Sequence, residues 1–275
     1  LPIYPWTSGS LVPYPTEAAI YATSMRSMFP AGPRVAVFVV NSEFGAIYAD
    51  AMASQAKTLG LNIVAQETVE PSDVTPPTAQ LTKIASVRPD VIMAAPLGSQ
   101  CPVFLRELEN LRAENPGWKP IVYLTNTCAT HFNLSSLPRS ASAGVYTSAL
   151  VKDVLDPAAS SDPDVRELLE RARRAGFDDS KFDGQYLTLG WLAGEVVIRT
   201  LQAASASGSL SRASVVQAFR QLHFESGIVR SGIPFSLDGE RDGFPYESLQ
   251  LVEWTGSGLR EVGPPITAFE GSMPE

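Results

Sequence analysis

The stretch between Arg34 and Asp90 constrains the fold more than any other part of the chain. It opens on an unbroken apolar run, Val35-Ala-Val-Phe-Val-Val-Asn41, turns at Ser42-Glu-Phe-Gly45 and continues as a helix-like segment over 47–59. Gly60 ends that helix. A strand over 62–68, a helix over 77–86 and Arg88-Pro-Asp90 then lead into a third strand at 91–96. A strand that is apolar without alternation has both faces covered, and a strand–helix–strand order makes its neighbours parallel. The predicted class is α/β with a doubly wound parallel sheet. Ligands of such sheets sit outside the carboxyl ends of the strands, which directs the search for a site to residues 41–45, 95–101 and 125–130.

The pattern continues with a helix over 103–111, whose Phe104, Leu105, Leu108 and Leu111 share one face, and with strands at 121–125 and 144–150. Upstream, Trp6-Thr-Ser-Gly-Ser10 and Pro13-Tyr-Pro15 read as a strand end and a loop, and a helix is expected over 18–28 with Glu17 at its amino end. Beyond residue 150 the character changes. A polar link at 156–162 precedes helices over 164–175, 184–204 and 212–222; from Gly227 the pattern is β, with an antiparallel edge strand expected at 246–254 and no pattern over 264–275. A chain that leaves one lobe and returns to it has the path of a two-lobed, hinged molecule.

Composition excludes several classes. The 275 residues carry a formal charge of −8 with no basic stripe, so nucleic acid is not expected as a partner. No apolar run approaches the ~18 residues of a membrane span. The only histidines, His131 and His223, lie far apart, and no metal-ligand spacing, nucleophile elbow or phosphate loop is present. No metal, cofactor or catalytic residue is expected. Cys101 and Cys128 are either two unrelated buried thiols or a bridge. Each follows a predicted parallel strand at the same end, which favours a disulfide and an oxidising compartment. Such a bridge closes a loop with 26 residues between its ends and contributes roughly 3 kcal/mol in the chain-entropy picture.

Several weak motifs occur in a telling order: Val35 to Gly45 followed by Gly60, Asp73-Val-Thr75 before a helix containing Leu81, and Arg88-Pro-Asp90 before the strand at 91–95. The helix over 182–195 and the Phe235-Ser-Leu-Asp-Gly239 turn complete it. Over about residues 16–262 the chain resembles the type I periplasmic solute-binding proteins, nearest to the branched-chain amino acid and amide binders that feed ABC importers. The resemblance implies two doubly wound lobes joined by a hinge, with a small-molecule solute held between them and an ABC permease as partner. It also implies a periplasmic or extracellular location, with room for a lipid anchor upstream of Leu1, and no enzymatic activity. Residues 18–148 plus 235–262 would form the second lobe, 149–234 the helical part of the first, 1–17 its end and crossover, and 263–275 a tail. Relatives carry further βα units ahead of the position of Leu1, so the chain is expected to lack part of the first lobe.

By the same resemblance, Phe44 would stack on solute, or else merely anchor its helix. Ser42 and Asn41 would bind solute or cap the helix that follows. Leu97 stands where amino-acid binders usually place an aromatic ring. Gly98, with Ser99 and Gln100, would receive an anionic group or simply cap a helix. Asn126 and Thr127 fall near the position of a carboxylate that receives a ligand ammonium, and a neutral Asn there points to an amide, an acid or a neutral solute. Trp6, Ser8 and Ser10 would face the solute from the first lobe, as would Phe182 and Tyr186, unless these last two pack in a core. An enzyme of doubly wound fold using Cys101 or a bound cofactor, or the ligand-sensing domain of a receptor, is the alternative reading.

Overall fold

The computed structural model describes residues 6–179, 184–237 and 243–268. In chain order the elements are α1 (Tyr14–Met28), β1 (Arg34–Val40), α2 (Glu43–Leu59), β2 (Asn62–Val69), α3 (Thr78–Ser86), β3 (Val91–Ala95), α4 (Gln100–Glu114) and β4 (Ile121–Leu124). Then come α5 (His131–Ser135), α6 (Arg139–Ser142), β5 (Val145–Ala149), α7 (Pro163–Arg174), α8 (Gly184–Ala206) and α9 (Arg212–Phe219). The chain closes with β6 (His223–Phe224), β7 (Phe235–Ser236), β8 (Ser248–Trp254), β9 (Leu259–Glu261) and β10 (Ile266–Thr267). They fall into two units: the described parts of Leu1–Pro13, Leu150–Leu249 and Pro265–Glu275, and a second unit of Tyr14–Ala149 with Gln250–Pro264. The expected boundary ahead of Phe235 thus lies instead at Leu249, and residues 235–249 group with the helical unit.

The second unit is a sheet in the order β2-β1-β3-β4-β5, all parallel, continued by β8 antiparallel to β5 and by β9 antiparallel to β8. Its inner strands are buried almost throughout, β1 at six of seven positions and β3 at all five, while β2 at the edge is buried only at Val69. One face packs Phe38, Ile92 and Leu124 against Leu81, Ile84, Phe104 and Leu108 of α3 and α4. The other receives Tyr21, Met25, Tyr48 and Met52 of α1 and α2, all fully buried. Gly45 allows the tight β1–α2 turn, because a Cβ there would lie 1.8 Å from the Val40 carbonyl oxygen. Three expectations are corrected here. Helix α1 starts at Tyr14 rather than at residue 18, since Pro15 is well suited to a first helical turn. Strand β8 is not an edge: it is flanked by β5 on one side and by β9 and β10 on the other, and it is buried at five of seven positions. The segment expected to be patternless contains β10, whose Ile266 and Thr267 pair with Leu249 and Ser248.

Cys101 and Cys128 are joined, their Cα atoms 5.5 Å apart. The bridge ties the first turn of α4 to the β4–α5 loop, with the loop-closure contribution of roughly 3 kcal/mol expected above.

The first unit contains α7, α8, α9 and the short β6–β7 pair. Asp162 caps α7 by accepting from the Asp164 and Val165 amides, and Lys152 donates to the same carboxylate at 2.6 Å. Helix α8 is apolar around most of its circumference. Thr188, Leu192 and Ala204 are buried, while Val197, Ile198 and Leu201 are exposed.

Candidate functional site

Strand order alone marks one place in the second unit. In a 2-1-3-4-5 parallel sheet the connections leave in opposite directions from β1 and β3, and the crevice outside their carboxyl ends is the topological switch point where ligands bind. The β1–α2 turn (Ser42 to Gly45) and the β3–α4 loop (Leu97 to Ser99) flank that point, and the β4–α5 loop (Asn126, Thr127) follows next along the sheet.

Phe44 is half-buried in an aromatic group: its ring lies 4.8 Å edge-on from Tyr14 and 5.1 Å from Tyr48. Tyr48 is fully buried, whereas Tyr14 is 37% exposed. Phe44 and Tyr14 therefore form a partly open aromatic corner, footed on Tyr48. Ser42 caps α2, its hydroxyl accepting from the Gly45 amide at 3.4 Å, and Asn41 donates to the Glu70 carboxylate at 2.8 Å.

Leu97 is exposed, and Gly98 turns the chain with φ +53°, a conformation that suits glycine. The Gln100 and Cys101 amides donate to the Leu97 and Gly98 carbonyls, so this helix start is closed by its own turn. The buried Gln100 side chain accepts from the Leu97 amide at 3.1 Å and donates to the Glu70 and Asp73 carbonyls at 2.8 Å each. It locks the loops after β2 and β3 together. With Cys101 inside the disulfide, no thiolate is available there, which removes the Cys101 enzyme reading.

Behind the rim lies a residue that sequence reasoning treated only as a helix-end charge. Glu17 is 1% exposed. Its carboxylate accepts from the Tyr21 and Tyr48 hydroxyls, from the Ser148 hydroxyl at 2.9 Å and from the Asn126 amide at 2.8 Å. Tyr21 in turn accepts from the Ser148 amide at 3.1 Å, and Tyr48 lies 2.9 Å from the Thr125 hydroxyl. Burial pushes the Glu17 carboxyl above its ordinary value, and the four donated hydrogen bonds oppose that rise. Burial and the Glu17 charge push both tyrosines well above theirs. Phe44 and Asn126 are thereby joined, one through Tyr48 and the other directly, to one carboxylate. The sequence did carry a trace of this: an acid set among Ala18-Ala-Ile-Tyr-Ala22, with Tyr21 four residues on and so on the same helix face.

The remaining predicted residues lie in the first unit. Trp6 is 64% exposed; with Ser8 it lines a largely apolar groove of about 320 Å³ together with Val197, Leu201, Val216 and Phe219 of α8 and α9. Ser8 also donates to the Gly243 carbonyl at 3.1 Å. Trp6 thus stands beside the faces of α8 and α9, with Thr200 and Arg220 also on the groove wall. Ser10 and Tyr186 are exposed, and Phe182 lies outside the described residues. Among the described residues no group of three or more His, Cys, Asp or Glu side chains could hold a metal, and no helix is long and apolar enough to cross a membrane.

The sequence matches the family described as periplasmic binding protein over residues 5–258. The chain belongs to that family. No curated protein sequence matches it. Among solved structures it is similar to a branched-chain amino acid ABC transporter protein from Thermus thermophilus with bound valine, at 18% identity and a TM-score of 0.76, covering 94% of this chain and 67% of that one. A Rhodopseudomonas palustris solute-binding protein in complex with benzoate gives 19% identity, a TM-score of 0.66 and coverage of 92% and 65%. A fatty acid ABC transporter substrate-binding protein from Thermomonospora curvata gives 16%, 0.71, and 97% and 67%. These likenesses establish the fold, the type I periplasmic-binding-protein architecture. The chain spans about two thirds of the length of each of these relatives.

Proposed function

We propose that this chain is the solute-capturing component of an ABC import system, and that it receives a small organic solute at the carboxyl ends of the parallel strands in its second unit. The observation that carries the reading is the convergence of the Tyr14–Phe44 corner and the Asn126 loop, beside the topological switch point, on one buried carboxylate. Phe44 and Tyr14 would pack on the apolar body of the solute. Asn126, Thr127 and the Leu97–Ser99 loop would meet its polar end.

The chemistry favours a carboxylic acid or amide with an aliphatic or aromatic body. The Glu17 carboxylate behind the rim is spent on four internal donors, which leaves it no acceptor for an ammonium group. Valine, benzoate and fatty acids, which the solved relatives hold or are named for, each join a carboxylate to an apolar body. The proposal includes a periplasmic location, which the disulfide suits, and a permease as the receiving partner.

A thermal-shift screen of the 275-residue chain against valine, benzoate, octanoate and acetamide tests it. A ligand at 100 times its Kd stabilises by about 2.7 kcal/mol, which raises the Tm by several degrees. Stabilisation by at least one member is the expected result; none by any of the four at millimolar concentration would contradict it.

A further inference from the structure

We propose that Glu17 is the positioning residue of this rim: a buried carboxylate, not in contact with solute, that holds the capture groups in register. The proposal rests on the solute-binding reading above. Glu17 touches or governs four segments at or behind the rim, while the Leu97–Ser99 loop is held separately by Gln100. Glu17 lies on α1 one turn after Tyr14. It accepts from Tyr48, one turn beyond Phe44 on α2. It accepts from the Asn126 backbone amide, which fixes the β4–α5 loop. It accepts from Ser148, one residue before β5 ends and the chain passes into the other unit.

Hydrogen bonding within a helix or a strand cannot fix four separate segments relative to one another. One carboxylate with three acceptor contacts on Oε1 and one on Oε2 can, and inside a low-dielectric core those bonds are strong. Preorganisation of this kind raises affinity by removing the ordering that a loose rim would need on binding. The groups facing the carboxylate are all neutral: Tyr21 from its own helix, Tyr48 from α2, Thr125 and Asn126 after β4, and Ser148 from β5. Protonation of Glu17 therefore discharges the network without a neighbouring charge to compensate.

The test compares the wild-type chain with Glu17→Gln, a near-isostere without the charge, and with Glu114→Gln on the exposed end of α4 as control. In ligand-free protein, amide hydrogen exchange should quicken at least tenfold at Asn126 and Ser148 in Glu17→Gln and stay unchanged in β1 and β3. Unchanged exchange at Asn126, or an equal rise throughout the sheet, would overturn the positioning role. For whichever of the four screened solutes stabilises the wild type, Glu17→Gln should bind at least tenfold more weakly. Wild-type affinity should also fall with decreasing pH as Glu17 takes up its proton, and the affinity of the variant should be flat over the same range. Equal affinity in the two proteins, or parallel pH profiles, would refute the proposal while leaving solute capture intact. Absence of binding by the wild type would remove the capture reading, and the exchange comparison would still decide whether Glu17 holds these loops.

Discussion

The two units cover their apolar surface differently. In the second unit the inner parallel strands are enclosed: Phe38, Ile92 and Leu124 face α3 and α4, and Tyr21, Tyr48 and Met52 close the opposite side. In the first unit α8 presents Val197, Ile198 and Leu201 to solvent, and α9 and Trp6 border the same apolar groove. A helix that is apolar all round ordinarily has cover on every side. The contrast leads us to expect that the second unit folds on its own. The first unit, as described, leaves a surface that favours association or a further layer of structure.

The sharpest way to break that comparison is to remove the first unit. Ala149 of β5 pairs directly with Gln250 of β8 in an antiparallel ladder, so a two-residue Asn-Gly turn can join them as a hairpin. A protein of residues 14–149, Asn-Gly and 250–264 should fold cooperatively, seen as a single far-ultraviolet melt, whereas residues 150–249 alone should remain largely unfolded. Folding of residues 150–249 alone, with the joined protein of 14–149 and 250–264 left unfolded, would reverse the comparison.

Point substitutions sharpen it. Phe38→Ala, in the closed core and stacked 4.8 Å from Phe104, should cost about 3–5 kcal/mol in urea unfolding. Ile198→Ala, on the open face of α8, should cost less than about 0.5 kcal/mol and reduce the binding of a hydrophobic dye.

The smallest effect is one of sign. Glu17 in the second unit has its carboxyl raised by burial. Its folded state holds a proton that the unfolded state has lost, so stability declines as pH rises through the window above 4.5, and Glu17→Gln removes the decline. Burial also acts to raise Asp162 in the first unit, but the Lys152 hydrogen bond and the helix-start amides outweigh it and leave the carboxyl below 3.8. Its stabilisation is present above that value and is lost as pH falls through the folded-state pKa. Unfolding midpoints across pH for wild type, Glu17→Gln and Asp162→Asn should show these opposite slopes.

The parallel sheet was legible because β1 and β3 are apolar without alternation and each is followed by a helix, a pattern with one economical solution. The placement of Phe44, Leu97 and Asn126 near the strand ends followed from the same order. Tyr14 and Glu17 were not legible as site residues. Pro13-Tyr-Pro15 has the composition of a loop, and a carboxylate near a helix start has an ordinary electrostatic explanation. Only the fold shows that Tyr48, Asn126 and Ser148, up to 131 residues away, converge on Glu17. The interior position of β8 was hidden for a related reason: its neighbours β9 and β10 are three and two residues long, too short to carry a period.

The most direct measurement is amide chemical-shift mapping of the 275-residue chain titrated with whichever solute stabilises it in the thermal screen. The expected result is saturable shifts at Phe44, at Leu97 to Ser99 and at Asn126 and Thr127. Shifts confined to the groove of Val197, Leu201 and Phe219, with none at those strand ends, would contradict the assignment of the capture site.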